Sequence, residues 1–320
     1  MSKTLIIFAK IYMKILITDS LFIFPEHEKM LTDAGYEIER LDKPEATEDE
    51  LIAAVKGKAG YILGGIEEIT DKVIDAADEL KAIAFTGADW RHFIPGYKRA
   101  TEKGIAIASA PGANKFAVAE YTVALILAMT RNIFELGRTG SVKFQTTRSL
   151  QGATVGIIGM GRIGSQVSRI LHTIGANIIY YSRTPKPEIE KETGAKFVTL
   201  DELLSQSDVI SMHASTEIGR GFIGKNEFKK IKDGALVVNC GFTGGFDTAA
   251  LYDELKSGRL RAAQDDPADE RFNSLPLSVW FCSNGHTAYN THEANKTGSD
   301  MSTQSILNLL KTGKDQYKVN

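Results

Sequence analysis

A glycine-rich turn between a predicted buried strand and a predicted helix is the strongest constraint on the fold of this chain. Residues 154–158 (TVGII) lead directly into GMGRIG at 159–164, and a helical pattern follows. In this context the G-x-G-x-x-G motif is typical of a Rossmann unit that binds a dinucleotide. Gly159 allows a tight turn, Gly161 lets the backbone approach a pyrophosphate, and Gly164 lets the helix pack closely on the strand. The alternative interpretation is that these glycines merely end a strand.

The start of this helix is the predicted phosphate site. The backbone N–H groups near Arg162 and Ile163 have no acceptor inside the helix, and the helix dipole adds partial positive charge there. We therefore expect both residues to face the phosphates of a dinucleotide.

The end of the next strand predicts which dinucleotide binds. A site that prefers NAD usually carries Asp or Glu at this point, whereas a nearby Arg accommodates the 2′-phosphate of NADP. Here the chain reads Ser182, Arg183 and Thr184, with no carboxylate. NADP(H) is favoured. The alternative is that Arg183 is an ordinary surface arginine and that the site accepts NAD.

Strand-like apolar runs alternate with helical patterns almost throughout, which is typical of α/β domains with parallel sheets covered on both faces. A very apolar helix, predicted without interruption over 116–136, separates two series of strands and is expected to be buried between domains or subunits. A last helix is predicted over 291–311. The predicted strands are 14–18, 36–41, 61–63, 82–85 and 105–108, then 154–158, 177–181, 208–212, 235–239, 260–264 and 279–282.

Length and composition exclude several classes of protein. At 320 residues the chain is expected to form about two domains. The formal charge of −2 shows no excess of one sign, which argues against nucleic acid or an anionic membrane as partner. Two cysteines rule out a disulfide framework and fit a cytoplasmic protein. No apolar run approaches the ~20 residues of a membrane span, and no metal-ligand cluster is predicted. Residues 1–12 are interpreted as an extension before the first strand.

The chain resembles the D-isomer-specific 2-hydroxyacid dehydrogenase family over nearly all of residues 13–310. The resemblance is carried by residues 104–122, by Leu150-Gln151-Gly152 ahead of the Rossmann strand, and by KDGA at 232–235. The family usually has His where Tyr121 stands.

The resemblance implies two doubly wound parallel-sheet domains. A flavodoxin-like catalytic domain is expected from residues 1–115 plus 291–320, and a Rossmann cofactor domain of residues 116–290 is inserted into it. The active site would lie in the cleft between them. Members are commonly homodimers formed through the cofactor domains, which would explain the apolar helix over 116–136.

The resemblance also implies the catalytic residues. His286, in the sequence NGHTA, matches the histidine that exchanges a proton with the substrate oxygen, and Glu270 matches its acidic partner. Asp265 matches the aspartate near the nicotinamide. A neighbouring carboxylate favours the imidazolium, which can protonate the alkoxide as hydride attacks the carbonyl carbon. Around Glu270 the chain departs from the family's hydrophobic, proline-bearing loop. The alternative for His286 is an ordinary loop histidine.

Further contacts follow from the same alignment of motifs. His213, Ala214, Cys240, Gly241 and Phe242 are expected to line the cofactor. His213 is interpreted either as structural or as a contact to the cofactor through its backbone.

A glycine pair in the first series of strands matches the family's substrate site. The backbone N–H groups of Gly64, Gly65 and Ile66 are expected to hold a carboxylate, as successive N–H groups in a turn can. The alternative is a simple tight turn.

The most informative departure from the family is Phe242, which stands where the family has its substrate-binding arginine, three residues after Asn239. Phenylalanine has no charge and cannot form the bidentate bond of a guanidinium to a carboxylate. Three interpretations compete. The substrate lacks the usual carboxylate and packs on Phe242, or the protein has kept the cofactor and lost the reaction, or another arginine reaches the site. The candidates for that arginine are Arg91, Arg148 and Arg220.

Two functional hypotheses follow. The first is an NADP(H)-preferring oxidoreductase that interconverts a small, anionic 2-oxo acid, or related carbonyl compound, and its 2-hydroxy form. The second is a catalytically impaired NAD(P)-binding homologue that acts as a sensor or interaction protein.

Overall fold

A computed structural model describes residues 13–18, 23–43, 45–140, 146–241, 243–266, 268–283, 285 and 287–320. The extension predicted over residues 1–12 lies outside this part. The chain divides into two compact units. Unit 1 holds the described residues up to Asn114 together with His292–Asn320, and unit 2 holds Lys115–Thr291.

Unit 1 is built on a five-stranded parallel sheet of order β2-β1-β3-β4-β5, the flavodoxin-like arrangement. Its strands are β1 (Lys14–Thr18), β2 (Glu37–Leu41), β3 (Gly60–Leu63), β4 (Ala82–Phe85) and β5 (Ala106–Ala108). Its helices are α1 (Pro25–Asp33), α2 (Glu48–Ala54), α3 (Asp71–Ala76), α4 (Trp90–Phe93), α5 (Tyr97–Glu102) and the terminal α13 (His292–Thr312). Strands β3 and β4 are fully buried, because helices cover both faces of the sheet.

Unit 2 is built on a seven-stranded parallel sheet of order β12-β11-β10-β9-β6-β7-β8. Its strands are β6 (Thr154–Ile158), β7 (Asn177–Tyr181), β8 (Lys196–Phe197), β9 (Val209–Met212), β10 (Leu236–Asn239), β11 (Arg261–Gln264) and β12 (Trp280–Cys282). Its helices are α6 (Lys115–Thr130), α7 (Ile133–Thr139), α8 (Arg162–Thr173), α9 (Pro187–Thr193), α10 (Leu200–Gln206), α11 (Lys225–Phe228) and α12 (Thr248–Lys256). Short 3-10 helices span Thr216–Ile218, Thr243–Gly245 and Glu270–Ser274.

The strand order of unit 2 reverses at β6, which lies between β9 and β7. Ligands of doubly wound sheets bind at such a reversal, beyond the carboxyl ends of the strands.

Among the described strands, every pair of neighbours in both sheets is parallel, so the predicted fold class is confirmed. The pattern missed β8, whose two residues are both exposed.

The single helix predicted over 116–136 is wrong in one respect, because the structure has two helices there. α6 ends at Thr130 and α7 begins at Ile133, and their axes are bent by 64°. Asn132 adopts φ +54°, a left-handed conformation that a right-handed helix cannot continue through and that Asn tolerates. The guanidinium of Arg261 donates to the carbonyl oxygen of Met129 at 3.0 Å and so satisfies an acceptor at the end of α6.

Within the described part of the chain, no single helix is long and apolar enough to cross a membrane. The bent pair of α6 and α7 has the required length and composition when the two are taken together.

Candidate functional site

The turn after β6 is shaped by two close backbone contacts. Gly159 adopts φ +97°, and a Cβ there would lie 2.6 Å from the backbone nitrogen of Ala214. A Cβ on Gly164 would lie 2.3 Å from the carbonyl oxygen of Gly159. A side chain at either position would clash with the backbone and force the turn apart. The two glycines therefore allow the loop after β9 and the start of α8 to lie against the end of β6.

Gly161 has a different environment. It is the N-cap of the 12-residue helix α8, and a Cβ there would meet no atom within 4 Å. Internal packing therefore does not require this glycine. The missing side chain leaves an open cradle beside the first N–H groups of α8, which have no acceptor within the helix. The cradle fits an anion such as the pyrophosphate of a dinucleotide.

The loop after β7 carries the residues predicted to choose between NADP and NAD. Arg183 donates to the carboxylate of Glu217 at 2.9 Å, and both side chains are exposed, at 86% and 55%. Thr184 accepts a hydrogen bond from Lys186 at 3.3 Å. Glu217 lies on the 3-10 helix that follows β9. Because β7 and β9 flank β6, this ion pair joins two loops on opposite sides of the glycine turn. Sequence reasoning missed Glu217.

His213 and Ala214 follow β9 and lie against the same turn. The backbone N–H of His213 donates to the carbonyl oxygen of Ile158 at 2.7 Å. Its imidazole Nε2 lies 2.8 Å from the hydroxyl of Ser211. Burial lowers the pKa of His213 to about 4, so the ring is neutral at pH 7. Its buried Nδ1 has no hydrogen-bond partner among the described residues. Buried polar atoms without a hydrogen-bond partner are rare in folded proteins.

Asp265, directly after β11, organises the loop beyond β12. One carboxylate oxygen accepts from the hydroxyl of Ser283 at 2.6 Å and from the N–H of Thr287 at 2.9 Å. The other accepts from the N–H of Ala288 at 2.8 Å. Asp265 is buried, so these donors compensate the loss of water around its charge. The carboxylate therefore fixes the chain on both sides of position 286.

Tyr121 reaches the same network from α6. Burial raises the pKa of Tyr121, while a hydrogen bond with Ser283 acts in the opposite direction and the charge of Asp265 adds to the rise. The phenol is therefore neutral at pH 7. Sequence reasoning noted Tyr121 only as a departure from the family. It missed Ser283, which carries no motif, and gave no role to Thr287, which lies in the NGHTA sequence.

The segment after β10 supplies Cys240 and Gly241. Burial raises the pKa of Cys240 to about 12, and a hydrogen bond with Thr122 opposes that rise. Cys240 is therefore a thiol at neutral pH rather than a reactive thiolate. The N–H of Gly241 donates to the side-chain oxygen of Asn239 at 3.0 Å.

Two of the most important predicted residues, His286 and Phe242, lie outside the described residues. Glu270 opens the 3-10 helix Glu270–Ser274 and is exposed. Its neighbour Asp269 caps this helix and pairs with Arg271 at 2.9 Å.

The three arginines considered as replacements have different positions. Arg148 lies 3.9 Å from Asp208, which precedes β9 and accepts from the N–H of Thr154 at the start of β6. Arg148 is therefore at the amino ends of the strands, away from the cradle. Arg91 stacks on Trp90 in unit 1, 4.6 Å from the ring centre. Arg220 lines a cavity of about 140 Å³ in unit 2, together with Gly244, Gln264 and Asp269, which follow or end β10 and β11.

Gly64 and Gly65 are buried at the carboxyl end of β3, and Ile66 is exposed. Beyond them Glu67 accepts a hydrogen bond from the phenol of Tyr61 at 3.3 Å. Burial, together with the charge of Glu67, raises the pKa of Tyr61. The glycine loop is therefore followed by a buried polar contact within unit 1.

No group of three or more His, Cys, Asp or Glu side chains in the described part of the chain could hold a metal ion.

Comparison with known proteins gives consistent results. The model of the D-isomer specific 2-hydroxyacid dehydrogenase NAD binding domain matches residues 123–284. A glyoxylate reductase of Aeropyrum pernix is 36% identical over 267 residues, which cover 78% of this chain and 77% of that protein. A D-3-phosphoglycerate dehydrogenase of Archaeoglobus fulgidus is 31% identical over 309 residues, or 93% of this chain and 58% of the relative. The chain thus spans less than two thirds of that dehydrogenase.

Solved structures agree with the sequence comparisons. The crystal structure of a glyoxylate reductase from Paecilomyes thermophila superimposes with a TM-score of 0.82 at 25% identity, covering 96% of this chain and 98% of the other.

Proposed function

Because the chain belongs to the D-isomer specific 2-hydroxyacid dehydrogenase family, we propose that it transfers a hydride between a nicotinamide cofactor and a small 2-oxo or 2-hydroxy acid. The observation that carries this proposal is the cradle after β6, where Gly161 leaves open space beside the start of α8. The matched family model describes an NAD binding domain, which supports a nicotinamide cofactor. Relatives named glyoxylate reductase and D-3-phosphoglycerate dehydrogenase support a substrate of the 2-hydroxy acid class.

Unit 2 would hold the cofactor and unit 1 would contribute to substrate binding. The first N–H groups of α8, at Arg162 and Ile163, would bind the pyrophosphate. Asp265 would lie toward the nicotinamide end, since it follows β11. Bound nicotinamide would supply or accept the hydride. The backbone around His213, Ala214, Cys240 and Gly241 would form the wall of the site.

For cofactor choice, we propose a preference for NADP(H) over NAD(H). Arg183 offers a guanidinium for the 2′-phosphate, and Ser182 and Thr184 offer hydroxyls.

The proton of the reaction would be handled by His286 with Glu270 as its acidic partner. An imidazole titrates near ~6.5, so it can both give and take a proton around neutrality. The hydrogen bonds from Thr287 and Ala288 to Asp265 support this role, because they hold the chain next to position 286. Asp265 would thus be a positioning residue for the proton donor.

The substrate's carboxylate would be held by backbone N–H groups of Gly64, Gly65 and Ile66. Phe242 cannot supply the family's guanidinium. Arg220 is the candidate replacement in unit 2, because it lies with the carboxyl ends of β10 and β11. These groups favour a substrate that is small and anionic.

The direct test is NADPH oxidation with a panel of 2-oxo acids that includes glyoxylate, hydroxypyruvate and pyruvate. We expect turnover with at least one of them. The His286→Ala variant should lose turnover and still bind NADPH. The exposed His172, in the last turn of α8, gives a matched control, and His172→Ala should keep turnover. Unchanged turnover in His286→Ala would refute the catalytic assignment.

A second candidate function is favoured by Phe242, which occupies the position of the family's arginine. In this case the protein binds the cofactor without dehydrogenase activity and acts as a sensor or interaction partner. Tight NADPH binding without turnover on any 2-oxo acid would support it. A Phe242→Arg variant that gains activity, beside an inactive Phe242→Leu control, would show that the remaining catalytic groups are intact.

We also propose a homodimer formed through unit 2. The α6–α7 region exposes Phe116 (56%), Leu127 (38%) and Ile133 (53%), although most of α6 is buried in its own unit. Sedimentation of the purified protein should give twice the 35.0 kDa chain mass, and Ile133→Glu should shift it toward the monomer.

A further inference from the structure

Two exposed side chains of unit 2 meet across the glycine turn. Arg183 follows β7 and Glu217 follows β9, and their charged groups lie 2.9 Å apart. In the sheet, β7 and β9 are not neighbours, because β6 lies between them. The ion pair therefore spans the end of the strand that leads into the cradle.

Glu217 gives this region a carboxylate that the motif after β7 lacks. In Rossmann units an acidic side chain near this edge accepts a hydrogen bond from the ribose 2′-hydroxyl, whereas an arginine binds a 2′-phosphate. Here Arg183 comes from the loop after β7 and Glu217 from the loop after β9, and the two form an ion pair. A 2′-phosphate must compete with Glu217 for Arg183 and is also repelled by the carboxylate.

From this arrangement, and resting on the proposed function, we infer that Glu217 is a specificity-determining residue. It limits the preference for a 2′-phosphorylated nucleotide by holding Arg183. Removing its charge should strengthen binding of nucleotides that carry a 2′-phosphate and leave those with a free 2′-hydroxyl unchanged or slightly weaker.

The expected change is modest, because exposed ion pairs contribute little. The Glu217→Gln variant should bind 2′,5′-ADP about two- to fivefold more tightly than the wild type. Its affinity for 5′-AMP should change by less than about twofold. The Arg183→Gln variant should bind 2′,5′-ADP about tenfold or more weakly, because a hydrogen bond to a charged group is lost.

The experiment is isothermal titration calorimetry of the full chain with 2′,5′-ADP, 5′-AMP, NADPH and NADH. Glu192→Gln is the matched control, because it breaks another Arg–Glu pair of unit 2, with Arg169 at 2.7 Å, and changes the net charge equally. It should leave all four affinities unchanged. The Glu217→Gln substitution should raise the affinity for 2′,5′-ADP less in the Arg183→Gln background than in the wild type. In that background there is no guanidinium at position 183 for the loss of Glu217 to release.

The outcomes separate this inference from the proposed function. If NADPH and NADH bind but Glu217→Gln leaves the ratio of 2′,5′-ADP to 5′-AMP affinity unchanged or lowers it, the inference about Glu217 is wrong and the proposed function stands. If neither dinucleotide binds to folded wild-type protein, both are overturned. Thermal unfolding of each variant shows that the comparison is made on folded protein. Glu217→Ala provides a second substitution at the same position.

Discussion

The two halves of the unit 2 sheet present different kinds of surface at their carboxyl ends. At the turn after β6 the surface consists of backbone, with Gly159 and Gly164 in close contact with it and Gly161 open. Around β10, β11 and β12 it consists of hydrogen-bonded side chains, with the buried carboxylate of Asp265 at their centre.

The difference reflects two ways of holding a ligand or a catalytic group. Backbone N–H groups at a helix start recognise phosphate whatever the neighbouring side chains are, provided that nothing blocks them. The second half instead positions one loop by means of specific hydrogen bonds, in which each partner depends on the others. Single substitutions should therefore affect the two halves in different ways.

The largest effect is expected for Asp265→Ala. This change removes the acceptor of the N–H groups of Thr287, which is exposed, and of Ala288, which is buried. The buried donor costs about 1–3 kcal/mol when it has no partner, and the bond from the Ser283 hydroxyl is lost as well. The free energy of unfolding should fall by about 2–4 kcal/mol, and turnover should fall by about 100-fold or more if the loop positions His286. Urea unfolding and steady-state kinetics measure the two effects.

Asp253→Ala, on the exposed face of α12, is the matched control for charge and should change neither quantity. A folded Asp265→Ala protein with normal kcat would show that this network does not support the reaction.

In the glycine half, we expect Gly164→Ala and Gly161→Ala to separate stability from binding. A Cβ at Gly164 meets the oxygen of Gly159 at 2.3 Å, so this variant should lose about 1–3 kcal/mol, although Ala favours helix formation. At Gly161 the added methyl group meets no protein atom within 4 Å, so stability should change by less than about 0.5 kcal/mol. NADPH affinity should nevertheless fall, as calorimetry can measure. Normal NADPH binding by Gly161→Ala would argue against a phosphate in this cradle.

The same contrast explains what the sequence could predict. The glycine turn, the strand before it and the helix after it are contiguous, so a local pattern identifies them. The fold brings together three residues that are distant in sequence, and no sequence motif predicts the hydrogen bonds among them. These residues are Tyr121, Asp265 and Ser283. The resemblance identified Asp265, but its role in holding the loop required the structure.

The error in the predicted helix has a local cause, whereas the missed ion pair is a long-range contact. The α6–α7 break depends on one residue, Asn132, in a sequence that is otherwise strongly helical. The pairing of Glu217 with Arg183 joins residues on two separate loops, which sequence spacing does not reveal. The roles given to His286, Glu270 and Phe242 stay predictions.

His213 allows a test of the glycine half through pH. Its pKa of about 4 lies below the ~6.5 of an unfolded histidine, so the unfolded chain binds the proton more readily. The contribution to stability is therefore complete above pH 6.5 and is lost as the pH falls toward 4. Between pH 7 and pH 5 the wild type should lose about 1–2 kcal/mol more than His213→Gln, as denaturant unfolding at each pH can measure. His172→Gln, at an exposed position, should follow the wild-type curve.

The smallest effect is expected for Tyr121→Phe, at the edge of the Asp265 network. Loss of one hydroxyl that bonds Ser283 should cost about 1 kcal/mol of stability, because Ser283 keeps its bond to Asp265 at 2.6 Å. Turnover should fall by only a few-fold, as steady-state kinetics can measure. The Tyr252→Phe variant, on α12, controls for loss of a phenol elsewhere in unit 2.

Tyr121→His sharpens this last test, because histidine is the residue that the family usually has at this position. An imidazole can also hydrogen-bond to the Ser283 hydroxyl, so Tyr121→His should retain more activity than Tyr121→Phe if the contact itself matters. If the two variants behave alike, the phenol of Tyr121 serves only as packing. The Asp265 network would then end at Ser283, and α6 would have no part in positioning the loop after β12.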